Sequence, residues 1–241
     1  MLFRYHFFDT LASTNDTARE KCYSHGDVIV ARRQTAGRGQ RGNSWSSEEG
    51  SNLMLSVVLQ PSFLEAGRQF LLLQCVALSV ADMLALYGLD PRIKWTNDIY
   101  IGDRKIVGIL MEQSLRGGFM ERCVAGIGIN VNQEAFDSCL PNPTSMYMET
   151  GVKIDLRQAL DRLCGALEER YRQLQAGRYE ALAADYHRIM YRLGGLSQFV
   201  LPDGSRVSGT VRGVRPAGEL VVEFEDGKTG AFLFGDIRFV I

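Results

Sequence analysis

Between Arg92 and Val131 the chain sets four β-rich runs in succession, 92–95, 99–101, 105–113 and 121–131, joined by short turns that mostly contain glycine. That rhythm belongs to consecutive antiparallel strands, because parallel neighbours need a crossover of roughly a dozen residues or more. A strictly alternating fold is thereby excluded. Further β-rich runs at 3–8, 27–34 and 52–60, with helical patterns over 18–23, 65–87, 156–174 and 179–191, complete an α/β (α+β) chain: a mixed sheet with packed helices. Ser13-Thr14-Asn15-Asp16 has the Ser-x-x-Asp form of a helix cap before the first helical pattern. From Gly194-Gly195 the character changes to five short β runs broken by Pro202-Asp203-Gly204, Pro216-Ala217-Gly218 and Asp226-Gly227, which predicts a small closed barrel. A boundary near Leu193 divides the chain into 1–193 and 194–241.

A length of 241 residues, 46% of them hydrophobic, supports one large core with a small appended domain, or two modest domains. With 27 basic and 28 acidic residues the net charge is −1, so no global field draws the chain to nucleic acid or to an anionic membrane. Any site for a polyanion must be local. The cysteines, Cys22, Cys75, Cys123, Cys139 and Cys164, are widely spaced, odd in number and without a C-x-x-C pair, which predicts free thiols in a reducing compartment. The segment 70–86 is apolar enough to suggest a membrane span, but Gln74 and Asp82 lie inside it. A charge at such depth costs roughly 2.5 to 3.5 kcal/mol, so a buried core helix is expected. Arg4 and His6 interrupt the N-terminal apolar run, which therefore reads as a strand and not as a signal peptide.

Three polar clusters carry the chemistry. Lys94-Trp95-Thr96-Asn97-Asp98 is followed by Lys105 in Gly102-Asp103-Arg104-Lys105-Ile106-Val107-Gly108, so two lysines, an amide, a carboxylate and an indole fall close together between strands. Such a set can hold a carboxylate, a phosphate and a divalent ion; taken alone it also reads as a charged hairpin with a solvated turn. Gly37-Arg38-Gly39-Gln40-Arg41-Gly42 matches G-x-G-x-x-G, yet Asn43-Ser44-Trp45-Ser46-Ser47 leads into another strand, whereas a dinucleotide loop opens a helix. What survives is a flexible loop whose amides and arginines can wrap an anion. Gly126-Ile127-Gly128-Ile129-Asn130 places glycines inside a strand, where they permit close approach of a ligand or another backbone. Gly227-Lys228-Thr229 lacks the first glycine of a P-loop, and three histidines without helical pairing give no zinc pattern. No G-x-S-x-G elbow supports a serine hydrolase.

In order, Ser13-Thr14-Asn15, Gln34 with Gly37 to Gly42 and Trp45, Lys94 to Asp98, Arg104 to Leu110, Gly126 to Asn130 and Thr144-Ser145-Met146 resemble the bacterial biotin protein ligases. The resemblance spans nearly the whole chain and is loosest after Gly194. It implies a class II synthetase-like sheet with a C-terminal SH3-like barrel, and formation of biotinyl-5'-AMP from biotin and ATP with Mg2+. Biotin then passes to a lysine of a biotin carboxyl carrier protein or domain, such as that of acetyl-CoA carboxylase, in the cytoplasm. By the same resemblance Ser13, Thr14, Asn15, Gln34, Arg38, Gly39, Gln40 and Lys105 bind biotin, with Lys105 and Arg38 catalytic. Gly37, Arg41, Trp45, Lys94, Asn97 and Asn130 serve ATP and the adenylate, and Asp98 and Asn130 the metal. The chain departs from relatives at Gln40, at Thr96 and at Pro216, where some relatives carry a basic residue, a proline and a lysine respectively. Only 12 residues precede Ser13, which leads us to expect a monofunctional ligase with no DNA reader; monomer and homodimer both stay open. The rivals are a lipoate or octanoyl ligase of the same superfamily and a nonenzymatic nucleic-acid-binding module.

Overall fold

The structure, a computed structural model, describes residues 3–241; Met1 and Leu2 lie outside the described residues. Strands β1 (Arg4–Leu11), β2 (Asp27–Gln34), β3 (Leu53–Leu59), β4 (Pro91–Lys94), β5 (Asp98–Ile101), β6 (Arg104–Arg116) and β7 (Phe119–Ile129) pair in the order β1-β2-β3-β7-β6-β5-β4. β1 runs parallel to β2, and every other neighbouring pair is antiparallel, so the sheet is mixed as the sequence predicts. β3 sits centrally and is buried at every position, which explains its unbroken apolar run.

One face packs on α2 (Gln69–Ala85), α4 (Leu156–Gln175) and α5 (Tyr179–Arg188). Leu72, Val76, Val80 and Leu84 of α2 are fully buried, and Asp82, the charge within that segment, is held by Arg170 Nε at 2.7 Å. The same guanidinium reaches Asp185 and ties the three helices together. α2 is shorter than the 65–87 expected from its pattern, because Glu65 bridges to Phe119 and the Ala66 N–H donates to the Gly118 carbonyl. Those pairings hold the chain at the sheet edge until a 3-10 turn, Ala66–Arg68, starts the helix. Gly88, at φ 78°, ends it. α3 (Met146–Thr150) is capped by Ser145, whose Oγ accepts from the Met148 N–H at 3.1 Å.

Among the described residues the helix on the opposite face is α1 (Thr14–Ala18), whose Ala18 packs with Ile29, Val58 and Val124. The sequence places this helix at 18–23; it begins earlier and stops at Ala18. The reason lies in β7, where Arg122 donates to the carbonyls of Ala18 at 2.7 Å, Glu20 at 3.2 Å and Tyr23 at 2.9 Å. Those carbonyls are drawn out of a helical ladder. So short a helix leaves part of the sheet bare, and the bare part is the floor of the cavity described below.

The last part of the chain forms a second sheet of β8 (Leu196–Val200), β9 (Arg206–Val214), β10 (Leu220–Phe224), β11 (Thr229–Phe232) and β12 (Arg238–Phe239). Its order is β11-β10-β9-β8-β12, all antiparallel, and among the described residues no ladder joins β11 to β12. Two of the polar contacts that dock it on the first sheet and its helices come from His187 and Trp95. The Val214 N–H donates to His187 Nε2 at 3.1 Å, and Trp95 Nε1 donates to the Gly218 carbonyl at 2.8 Å. Gly213 has φ 136°, and a Cβ there would lie 2.5 Å from His187 Nε2, so this close approach requires glycine.

Candidate active site

Side chains alternate between the faces of a strand, and the register therefore decides what the floor is made of. Ser56 pairs with Gly126, Gly126 with Leu110, and Gly128 with Gly108, all on the α1 face. Three glycines in that row leave a depression. The cavity above it holds about 320 Å3. Lys105 would face away if β6 were regular, since it lies an odd number of residues before Gly108. A β-bulge intervenes: β5 pairs Ile99 with Val107 but Tyr100 with Lys105, which turns Lys105 to the face of Asp98 and Gly108. Its Nζ then lies 2.7 Å from Asp98 Oδ1 and 5.8 Å from the centre of the Trp45 ring. The adjoining backbone is pinned as well, Lys105 N–H to the Asn142 carbonyl at 2.7 Å and Thr144 N–H to the Lys105 carbonyl at 2.9 Å.

At the other end of the floor the N-terminus of α1 forms a cradle of small polar groups. Gln34 Oε1 accepts from the Thr14 N–H at 2.7 Å. Ser56 Oγ lies 2.8 Å from Thr14 Oγ1 and donates to Asn15 Oδ1 at 2.6 Å. The Asn15 amide donates to Glu112 Oε2 at 2.8 Å, and a Cβ at position 126 would collide with Asn15, so Gly126 makes room for it. Ser13, Thr14 and Asn15 are all buried. Amides and hydroxyls fixed in this way suit the neutral polar head of a small molecule.

The Gly-rich segment is a closed turn. Arg38 bridges to Ser44, Gly39 N–H donates to the Asn43 carbonyl at 2.6 Å, and a 3-10 turn spans Gln40–Gly42. Arg38 is braced at the cavity mouth by Asp16 Oδ1 at 2.7 Å and Glu112 Oε2 at 2.9 Å. Trp45 lies over the glycines of the floor: a Cβ at Gly128 would collide with its indole, and one at Gly108 would sit 2.9 Å from its ring. The indole N–H and Gln40 Oε1 are both buried without a hydrogen-bond partner. Orphaned groups of this kind are expensive unless something completes them. On the far side Lys94 Nζ stands over the rings of Tyr100 at 5.1 Å and Phe239 at 5.9 Å. Burial pulls the Lys94 ammonium below the usual lysine value; Asp98 opposes this, while Lys105 and Arg192 push the same way.

The cavity thus gathers Ser13, Thr14, Asn15, Gln34, Arg38, Gly39, Gln40, Trp45, Lys94, Asn97, Asp98 and Lys105 of the residues singled out in the sequence. Gly37, Arg41 and Asn130 are not among its lining. Gly37 lies beneath the Trp45 carbonyl, where a Cβ would collide. Arg41 turns to the second sheet, its guanidinium 4.9 Å from the Phe234 ring centre and donating to the Phe234 carbonyl. Asn130 is buried, its amide donating to the Thr144 carbonyl at 2.9 Å. Asn97 lines the cavity while its amide also donates to the Ile109 carbonyl. Glu112, Ser56, Phe234 and Arg238 were not singled out, because register and domain docking, which no local motif records, bring them in. Among the described residues no cluster of three metal-ligating side chains exists. Magnesium takes one or two carboxylates together with substrate phosphates, and Asp98, the carboxylate lining the cavity, fits that donor set.

A cradle for a small polar head, a paired lysine and carboxylate, and a cationic loop over one cavity define an enzyme that brings a small ligand together with a polyanion. The model of the biotin/lipoate A/B protein ligase family matches residues 7–130. The bifunctional ligase/repressor BirA of Bacillus subtilis (strain 168) is 33% identical over 230 residues, 92% of this chain and 70% of that protein. The biotin–[acetyl-CoA-carboxylase] ligase of Mycobacterium tuberculosis is 31% identical over 217 residues, 88% of this chain and 78% of its own length. Among solved structures, the biotin protein ligase from Aquifex aeolicus in complex with biotin and ATP superposes with a TM-score of 0.83 at 26% identity, covering 98% of both chains. The chain belongs to the biotin/lipoate A/B protein ligase family.

Proposed function

We propose that the chain is an ATP-dependent biotin protein ligase acting on the carrier protein or domain of a biotin-dependent carboxylase. The observation that carries this reading is one cavity in which the bulge-directed Lys105 and the Gln34–Thr14–Asn15 cradle share a glycine floor. Relatives and structures named as biotin ligases favour biotin over lipoate.

In the first half-reaction a carboxylate oxygen of biotin attacks the α-phosphorus of ATP. The bond from that phosphorus to the bridging oxygen breaks, and pyrophosphate leaves with the electron pair. Two anions must meet, so positive charge has to be in place beforehand. Lys105 supplies it between the biotin carboxylate and the α-phosphate, exchanging its contact with Asp98 for contacts to substrate. Asp98 would hold a magnesium ion, which would supply further charge to the phosphates. The cradle residues hold the ureido head, and Arg38 with Gly39 and Gln40 closes the mouth, which keeps water from the mixed anhydride. In the second half-reaction the acceptor lysine amine attacks the acyl carbon, the acyl–oxygen bond to AMP breaks, and an amide, AMP and a proton result. Beyond Ile109 the outer edge of β6 has no strand partner among the described residues, and it can take a β-rich carrier by strand addition. A homodimer would compete for the same edge.

We assign catalysis to 1–193 and an SH3-like support to 194–241. The free cysteines fit a cytoplasmic setting, and the balanced charge disfavours nucleic-acid binding. Biotin-dependent ATP–pyrophosphate exchange tests the reading: exchange with biotin is expected, and exchange with lipoate or octanoate instead would replace it.

A further inference from the structure

The hydrogen bonds of the cradle form a chain that could run in either of two directions. Thr14 Oγ1 lies 2.8 Å from Ser56 Oγ, Ser56 Oγ 2.6 Å from Asn15 Oδ1, and Asn15 Nδ2 2.8 Å from Glu112 Oε2. Thr14, Ser56 and Asn15 are buried, and Glu112 ends the chain outside the lining of the cavity. A hydroxyl has one proton, and an amide has a donor end and an acceptor end. If Asn15 turned its nitrogen to Ser56, Ser56 would donate to Thr14, and the Thr14 proton would be left for the cavity. With the amide oxygen toward Ser56, as in the structure, Ser56 donates to Asn15 and Thr14 donates to Ser56. Thr14 then has only lone pairs to offer.

Glu112 decides between the two directions. A carboxylate only accepts, so it takes the nitrogen end of Asn15 and repels the oxygen end. Arg38 Nη2 at 2.9 Å and Arg19 Nη1 at 3.7 Å hold that carboxylate in place. The Leu110 carbonyl, 3.4 Å from the same amide nitrogen, is too distant to add much. The Thr14 N–H is already taken by Gln34 Oε1, so Thr14 meets a ligand through its hydroxyl. We propose that Glu112 is a positioning residue that sets the hydrogen-bond polarity of the cradle. Through Asn15 and Ser56 it makes the Thr14 hydroxyl an acceptor, and so selects a ligand that brings an N–H to this point, as a ureido ring does, over one that brings an oxygen.

This assignment rests on the reading of biotin as the substrate, and the test separates the two. Calorimetry without nucleotide measures the affinities of biotin and of its two cyclic carbamate analogues, in which a ring oxygen replaces one or the other ureido N–H. The intact protein is compared with Glu112→Leu, Glu112→Gln, Ser56→Ala and Asp16→Asn. The parent should prefer biotin to one of the analogues by roughly a hundredfold or more, because two acceptors would otherwise face each other without a proton. That ratio should fall roughly tenfold in Glu112→Leu and in Ser56→Ala, where the Thr14 hydroxyl is free to turn and donate, the worth of one hydrogen bond. Glu112→Gln, whose carbonyl oxygen can still receive the Asn15 amide, should keep most of it. Asp16→Asn removes the other carboxylate that holds Arg38 but leaves the chain intact, so its ratio should stay parental. A parent without this preference overturns the assignment, and so do parental ratios in whichever of Glu112→Leu and Ser56→Ala folds. An equal fall in Asp16→Asn would trace the effect to Arg38 and overturns it too. A parent that binds biotin with this preference but catalyses no biotin-dependent ATP–pyrophosphate exchange removes the ligase reading and leaves the polarity of the cradle standing; a parent that binds no biotin removes both.

Discussion

Lys105 shows how far a residue's chemistry can be read before its placement is known. Its type and its distance from Asp98 in the sequence announce a charge stabiliser, but only the bulge between β5 and β6 turns the ammonium to the correct face. Its side chain is partly exposed, so its removal should spare the fold while stripping the charge. Lys105→Ala is expected to slow adenylate formation on the order of a hundredfold or more; a folded variant with near-parental single-turnover rates at saturating biotin and ATP would remove Lys105 from the reaction. The glycines of β7 were legible as a place of close approach, but not what approaches. Gly126 admits Asn15, and Gly128 admits the Trp45 indole. Gly128→Ala should therefore push Trp45 off the floor, at a cost of roughly 1 to 3 kcal/mol for overpacking. Because the chain has only Trp45 and Trp95, a shift of tryptophan emission to longer wavelength reports it. Unchanged emission with unchanged stability would contradict the contact. Glu112 was illegible for a different reason: its role in bracing Asn15 and Arg38 comes from residues far away in sequence.

At the scale of elements, the strands and the two long helices follow from apolar periodicity, whereas their ends were set by partners that periodicity does not contain, Arg122 for α1 and Gly118 for α2. The Gly-rich turn belongs to the same class. Its glycines suggest mobility, yet Arg41 clamps it to Phe234 and Arg38 to two carboxylates. Opening must break those contacts before a protease can cut. Trypsin cleavage after Arg38 is expected to slow when biotin is added and to quicken in Arg41→Ala; equal rates in all three states would show that the turn does not open as a lid. The parallel pair β1–β2 carries a pH-dependent tie of its own. Burial pushes the Asp27 carboxyl up, but hydrogen bonds from Arg4, the Ser24 N–H and His6 more than offset it, and hold the group well below the usual carboxylate range. The folded state therefore binds this proton less readily than the unfolded chain. Its contribution is present above the unfolded value near pH 4 and is lost as pH falls through the folded one. Denaturant titrations should show stability falling from about pH 5 towards pH 2, with a shallower fall in Asp27→Asn. Parallel curves for the two proteins would assign the acid sensitivity elsewhere.

At the scale of the whole molecule, the change of character at Gly194-Gly195 marks where the second sheet begins, but not that both sheets wall one cavity. The polar cradle of Ser13, Thr14, Asn15 and Gln34 belongs wholly to the first sheet and α1, while the opposite rim includes Phe234 and Arg238 of the second. The two substrates should therefore differ in how they feel the docking of the sheets. His187 offers a clean way to loosen that docking, because it lies outside the cavity lining and its Nε2 accepts the Val214 N–H above Gly213. Truncation leaves that N–H unpaired and a void beneath Gly213, at a cost of roughly 1 to 3 kcal/mol. His187→Ala is thus expected to raise the ATP KM several-fold while leaving biotin affinity, measured by calorimetry without nucleotide, at its parental value. Loss of both affinities in equal proportion would mean that the sheets act as one rigid wall, and that the cradle depends on the second sheet as much as the opposite rim does.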